Sequence, residues 1–138
     1  MLPMFAFGQV EGYAGTYEVV RFANGQPIKN KSLPTNQIMV LELKRDGTLK
    51  FGNFINGFTG KWVKKADKLE LTFIVSPAGK LTTPEVLSVQ PVPDRKRMIV
   101  LSPAKYTNNF EFYWNPKVVP FIKSRLEAEK KKKKAGGH

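Results

Sequence analysis

The sequence predicts a mainly β chain, an eight-stranded antiparallel up-and-down barrel followed by a C-terminal α-helix. Three observations carry that expectation. Between Ile38 and Val75, four alternating runs are joined by Asp46-Gly47, Asn56-Gly57 and the polar bend Lys64-Lys65-Ala66-Asp67. Asn-Gly and Asp-Gly accept the positive φ angles of tight hairpin turns, so this stretch reads as a meander. Further period-two runs on either side bring the strands to eight, and an open sheet of that length leaves two unpaired edges that closure into a barrel removes. Finally, Val119, Ile122 and Leu126 recur at helical spacing after the last run.

Taken in order, Thr16 to Ala23 is the first strand, with Tyr17, Val19 and Arg21 on one face, ended by Asn24-Gly25-Gln26-Pro27. Asn30 to Asn36 is polar with Pro34 inside it and reads as a rim segment leading to a strand over Gln37 to Lys44, where Met39, Leu41 and Leu43 alternate with Glu42 and Lys44. Leu49 and Phe51 mark the third strand, and Phe58, Gly60 and Trp62 the fourth. In the fifth, Leu69, Leu71, Phe73 and Val75 share one face, the pattern of a sheet with one wet side. Ser76-Pro77-Ala78-Gly79 breaks that strand, Val86 to Val92 and Lys96 to Leu101 form a hairpin across Pro93-Asp94-Arg95, and Asn109 to Trp114 aligns Phe110, Phe112 and Trp114. Asn115-Pro116 suits a helix start, with Pro120 delaying the regular helix by a turn. The expected organisation is an N-terminal arm (1–14), the barrel (15–115), a helix (116–129) and a Lys-rich tail (130–138) whose mutual repulsion frays the helix end.

At 138 residues the chain has room for one domain with a substantial core. It contains no cysteine, which excludes disulfides and thiolate metal sites and leaves the compartment open. Ten phenylalanines imply a core of large flat side chains. The formal charge of +12 divides evenly, because residues from Lys117 onward carry eight basic and two acidic side chains and the rest carries 15 and nine. Such an excess favours an anionic partner.

Met1 to Phe7 is apolar, and Ala6-Phe7-Gly8 resembles the small-x-small pattern of a signal-peptidase site. It reads either as the end of an export signal, which makes the protein periplasmic or secreted, or as an apolar arm packing on the barrel of a cytoplasmic one. No later run reaches the roughly 18 apolar residues of a spanning helix, so no transmembrane span is expected.

Gly15-Thr16-Tyr17-Glu18-Val19 resembles the Gly-Thr-Trp opening of the first strand in the calycin superfamily, which includes lipocalins and fatty-acid-binding proteins, with tyrosine in place of tryptophan. The strand-Asp-Gly-Thr-Leu-strand unit from Ile38 to Phe51, Gly60-Lys61-Trp62, and Leu69-Glu70-Leu71-Thr72 look like bacterial lipocalin-like domains in particular. The resemblance runs from Gly15 to Leu126 and implies an envelope protein that binds a small apolar ligand inside the barrel or a protein at its surface. Phe110 to Trp114 has no Arg-x-Tyr pair of the kind that holds a fatty-acid carboxylate, so an apolar or aromatic ligand is implied instead. The lining would come from Tyr17, Leu41, Phe51, Trp62, Leu71, Phe73, Phe110, Phe112 and Trp114.

Catalytic chemistry finds little foothold. The single histidine is His138, Glu42 and Glu70 alternate with core positions and read as surface carboxylates, and no glycine-rich loop joins a strand to a helix. Neither an enzyme activity nor a metal or other cofactor is expected. The competing expectation is a solid-core accessory subunit that holds an anionic partner, whether nucleic acid, membrane surface or acidic protein, as part of a larger assembly. Its surface would be Lys64, Lys65 and Lys68 at one hairpin, Arg95, Lys96 and Arg97 at another, and Lys130, Lys131, Lys132, Lys133 and Lys134 in the tail.

Overall fold

The computed structural model describes residues 12–53, 56–92, 97–102 and 110–135. They form the strands β1 (Gly15–Ala23), β2 (Gln26–Pro27), β3 (Val40–Leu43), β4 (Thr48–Gly52), β5 (Gly57–Lys65), β6 (Lys68–Ser76), β7 (Gly79–Pro91), β8 (Arg97–Ser102) and β9 (Phe110–Trp114), then helix α1 (Val118–Ala135). All pairings are antiparallel, and β1 also pairs with β9 from Tyr17↔Trp114 to Arg21↔Phe110. That pairing closes β1 and β3 to β9 into an eight-stranded barrel, with β2 as a short flap on the lower half of β1. The fold is the one the alternation predicts.

Each turn has a chemical cause. Asn24 and Gly25 lie at φ 54° and 77°, the paired left-handed geometry of a tight Asn-Gly hairpin. At the β3–β4 turn the Asp46 carboxylate accepts hydrogen bonds from the Thr48 amide at 2.9 Å and hydroxyl at 2.6 Å, the hydroxyl bond first among the causes that hold its pKa below the ordinary value. Gly47 supplies the positive φ of 87° that closes the turn. The β5–β6 turn places Ala66 at φ 55°, a conformation that costs an L-residue with a Cβ about 1–2 kcal/mol. Asn56-Gly57 behaves differently from expectation, because Gly57 is already paired with Gly52 and the connection is the longer stretch between them. There the Asn53 side chain accepts a hydrogen bond from the Asn56 amide at 2.7 Å.

Two bulges account for the other differences. The β6–β7 register jumps from Phe73↔Glu85 to Val75↔Lys80, so the segment of β7 that contains Pro84 bows out opposite Ile74. The phase change turns Val75 outward, where it is exposed, although its spacing groups it with Phe73. It also lets β7 begin at Gly79, well before Val86. On β5 the shift at Thr59/Gly60 brings the two backbones so close that a Cβ on Gly60 would stand 1.8 Å from the Thr72 carbonyl oxygen.

The barrel core is one cluster of 15 buried side chains, among them Tyr17, Leu41, Leu71 and Phe112, joined by the partly buried Tyr13, Ala14, Phe58 and Phe110. A second cluster, Ile38, Val40, Val118 and Ile122, fastens α1 to the outer wall. The helix is clamped from both ends. The Asn115 amide side chain donates to Glu18 at 3.3 Å on the outer face of β1, Arg125 donates to the Leu33 carbonyl at 2.9 Å, and Glu129 accepts from the Thr35 hydroxyl. Pro120 sits within the first turn, where its missing N–H costs nothing. The helix continues through the lysine run to Ala135, six residues past Glu129.

Trp62→Ala is expected to lower unfolding stability by ~3–5 kcal/mol, because the ring is 2% exposed. Trp114→Ala, at 41% exposed, should cost less than about half of that. Chemical denaturation of the two variants checks the pair. Ala66→Gly should raise stability by about 1 kcal/mol by relieving the left-handed strain, and an unchanged denaturation midpoint would contradict that geometry.

Candidate functional site

The residues proposed from sequence to line the barrel do converge, but on one another. Phe51 stands at the centre, with ring centroids 5.5 Å from Phe73, 6.0 Å from Phe112 and 6.4 Å from both Phe58 and Phe110. Phe58–Phe73 and Phe110–Phe112 add contacts of 5.6 and 5.4 Å. Centroid separations of 4.5–7 Å are those of rings in mutual contact. Five phenylalanines of the chain itself are thus in mutual contact inside the barrel, and Tyr17, Leu41, Trp62 and Leu71 belong to the same buried cluster. Trp114 is the exception. It lies at the barrel rim, edge-on to Tyr17 at 5.4 Å and seated on Gly15, where a Cβ would be 2.3 Å from the indole.

Two concavities open at the surface, and their linings reach residues of the core cluster or packed on it, Phe51 and Phe58 in the first and Val100 and Phe110 in the second. A groove of 610 Å³ lies beside α1, β3, β4 and β5, lined in part by Glu42, Lys50, Phe51, Phe58, Val119 and Lys123. Glu42 and Lys50 are cross-strand partners there, so Glu42 is a wall residue, as its alternation indicates. A hollow of 400 Å³ lies between Phe22, Ile99 and Phe110. Glu70, the other carboxylate, pairs with Lys65 at 3.2 Å on the opposite wall. Among the described residues no group of acidic or histidine side chains is arranged to hold a metal ion, and no helix is long and apolar enough to cross a membrane.

The up-and-down order sends alternate turns to the same end of the barrel. One end gathers Lys44 and Arg45 from the β3–β4 turn, Lys64, Lys65 and Lys68 from the β5–β6 turn, Arg97 at the start of β8, and Lys117 just after β9. Asp46 and Asp67 are the acidic residues in those turns among the described residues. At the other end, the described turn residues Asn24, Gly25, Asn53, Asn56, Pro77 and Ala78 carry no charge, while Arg21 in β1 and Lys80 in β7 lie close beside those turns. Trp62 joins the core to this end, since its indole N–H donates to the Lys44 carbonyl at 2.9 Å and its backbone N–H to that of Gly47 at 2.9 Å. Lys64 donates to the Ala66 carbonyl across its own turn. Arg97 stands 3.7 Å from Glu111, which also accepts the Tyr113 hydroxyl at 2.8 Å. Burial first, and then that bond to a carboxylate, push the Tyr113 phenol above its ordinary pKa.

Of the basic residues proposed from sequence, Lys64, Lys65, Lys68 and Arg97 share this end, whereas Arg95 and Lys96 lie outside the described residues, as do Met1 to Phe7 and His138. Lys130 to Lys134 do not join them. Helix α1 starts at the basic end and its 18 residues rise about 27 Å, which carries the lysine run away past Thr35. Lys44, Arg45 and Lys117 belong to the basic end and were missed in the sequence reading. Connectivity is the signal that finds them, because alternate turns of a meander must be neighbours.

Comparison with protein-family models, with curated proteins and with solved structures finds no match. The closed eight-stranded barrel with its C-terminal helix is compatible with a lipocalin-like fold, and the likeness to calycins rests on that architecture and the short motifs.

Truncation after Glu129 keeps the Thr35 bond and both hydrophobic helix contacts. The melting temperature should therefore move by less than about 2 °C, and a larger drop in a thermal scan would assign the lysine run a structural role.

Proposed function

We propose that this protein is a non-enzymatic binding protein that works through its outer surface, its filled barrel serving as a rigid platform whose basic end meets an anionic partner. The observation that carries this reading is the pairing of an interior packed by its own aromatic rings with a cluster of basic residues on and beside the turns of one barrel end. A small ligand in the lumen would have to displace the contacts of Phe51 with four other phenylalanines, a cost that an open-lumen binder does not carry. A site in the envelope, periplasmic or secreted, is part of the proposal and draws on the apolar Met1 to Phe7 segment.

Titration of the intact protein with heparin, a generic polyanion, over a range of salt tests the reading, together with native mass spectrometry of the protein from its own cells. Binding that weakens linearly in log–log form with salt is expected, with no small molecule retained. A tightly held apolar molecule and no affinity for the polyanion would overturn the proposal in favour of a ligand in the barrel.

A further inference from the structure

We infer that the groove beside α1 binds a small zwitterion, an α-amino acid with an apolar side chain. The groove shares no residue with the basic end, so the inference stands or falls independently of the reading above. Its wall is dictated by register. Thr16↔Glu42, Glu42↔Lys50 and Lys50↔Thr59 are successive cross-strand partners on β1, β3, β4 and β5. They alternate with the core residues Tyr17, Leu41 and Leu49, so the four side chains form one outward row about 14 Å long. All four line the groove, and Val119 and Lys123, one turn apart on α1, line it from the helix side.

The charges in this row are left open. Glu18, Glu70 and Glu111, half-buried glutamates like Glu42, are each held by neighbours: Glu18 by Asn30 and Asn115, Glu70 by Lys65, and Glu111 by Arg97 and Tyr113. Glu42 has no hydrogen bond or ion pair among the described residues, although Lys50 stands directly opposite it, and neither Lys50 nor Lys123 has one. A half-buried carboxylate has given up part of its hydration, and a charged donor restores what it lost.

The ligand follows from the spacing. Directly opposed residues of antiparallel strands stand about 5 Å apart at Cβ, so a carboxylate that needs a donor and an ammonium that needs an acceptor lie side by side. An α-amino acid carries an ammonium and a carboxylate side by side on one carbon, and it gives the first to Glu42 while Lys50 and Lys123 take the second. Its side chain then falls against Val40 and Val119, the apolar part of the lining next to Lys123. A simple organic acid would leave Glu42 without a donor and set a like charge beside it, and a simple amine would do the same to the lysines. The groove's 610 Å³ is within the range of small-molecule sites. Because it opens at the surface, its ligand exchanges freely and is not expected to survive purification.

The test is an NMR titration of the full chain, followed at the backbone amides, with L-phenylalanine and two analogues that each lack one head group, 3-phenylpropionate and L-phenylalanine amide. Shifts confined to the groove, at Thr16, Glu42, Lys50, Thr59 and Val119, are expected with L-phenylalanine, and each analogue should bind about 10-fold more weakly. Glu42→Gln should cost L-phenylalanine a similar factor and leave 3-phenylpropionate no weaker, whereas Lys50→Gln/Lys123→Gln weakens both. The charge-matched Lys80→Gln/Lys131→Gln, exposed lysines that do not line the groove, should change neither. Thr59→Phe, which fills the groove without removing a charge, should abolish binding. Thermal scans establish that the variants fold. Equal affinity for the three probes, equal losses in the two lysine doubles, binding retained by Thr59→Phe, shifts centred on core positions such as Leu71 and Phe112, or no shift at millimolar ligand would each overturn the inference. None of these outcomes bears on heparin binding by the basic end.

Discussion

The pairing of β1 with β9 is the constraint on which the rest of the structure depends. β1 is shared among three partners, meeting β3 from Gly15 to Glu18, β9 from Tyr17 to Arg21 and β2 at Phe22 and Ala23. Once β9 has joined it, neither strand leaves an open edge over the paired stretch, and the inner face becomes a lumen rather than one side of a sheet. The same register sets Trp114 against Tyr17 and brings Asn115 to the Thr16 carbonyl at 3.0 Å, which fixes where the helix starts. Glu18, on the outer face of β1, then holds Asn115 and Asn30 together. Closure, helix placement and the covering of the 30–38 segment are thus one event seen from three sides.

The interior and the surface are mechanically linked. Trp62 is a core side chain by burial, yet its indole and backbone N–H groups support the carbonyls of Lys44 and Gly47, so the turn that bears Lys44 and Arg45 is anchored in the core. A barrel filled with phenylalanine resists deformation because close-packed rings have few alternative arrangements. Such a body holds surface charges at fixed spacing and so loses little conformational entropy when they meet a partner. On the function proposed above, this is the use that a packed lumen would have.

The alternation of apolar and polar residues was a sound guide wherever the pleat is regular, as at Leu69, Leu71 and Phe73, or Leu49 and Phe51. It misled where the backbone changes phase. Val75 continues the spacing of Phe73 but faces outward because the irregularity around Ile74 inverts the pattern, and nothing in the residues Ile74-Val75 announces it. Lys80 to Glu85 lies outside the strand expected from Val86 onward, yet all of it belongs to the long β7. Trp114 has the right phase for the interior and misses it by height alone, since it stands at the end of its strand.

By itself the sequence determined the fold class, the order of strands and helix, and the identity of most core residues, because side-chain periodicity and turn chemistry are local properties of neighbouring residues. Tertiary structure decided which of those residues touch, and therefore that the phenylalanines fill the lumen. It also decided that Lys44, Lys68, Arg97 and Lys117, scattered over most of the chain, share one end while the lysine run of α1 is carried elsewhere. These are consequences of strand direction, register and closure, which are set by pairing between segments far apart in the chain and leave no mark on any one segment alone.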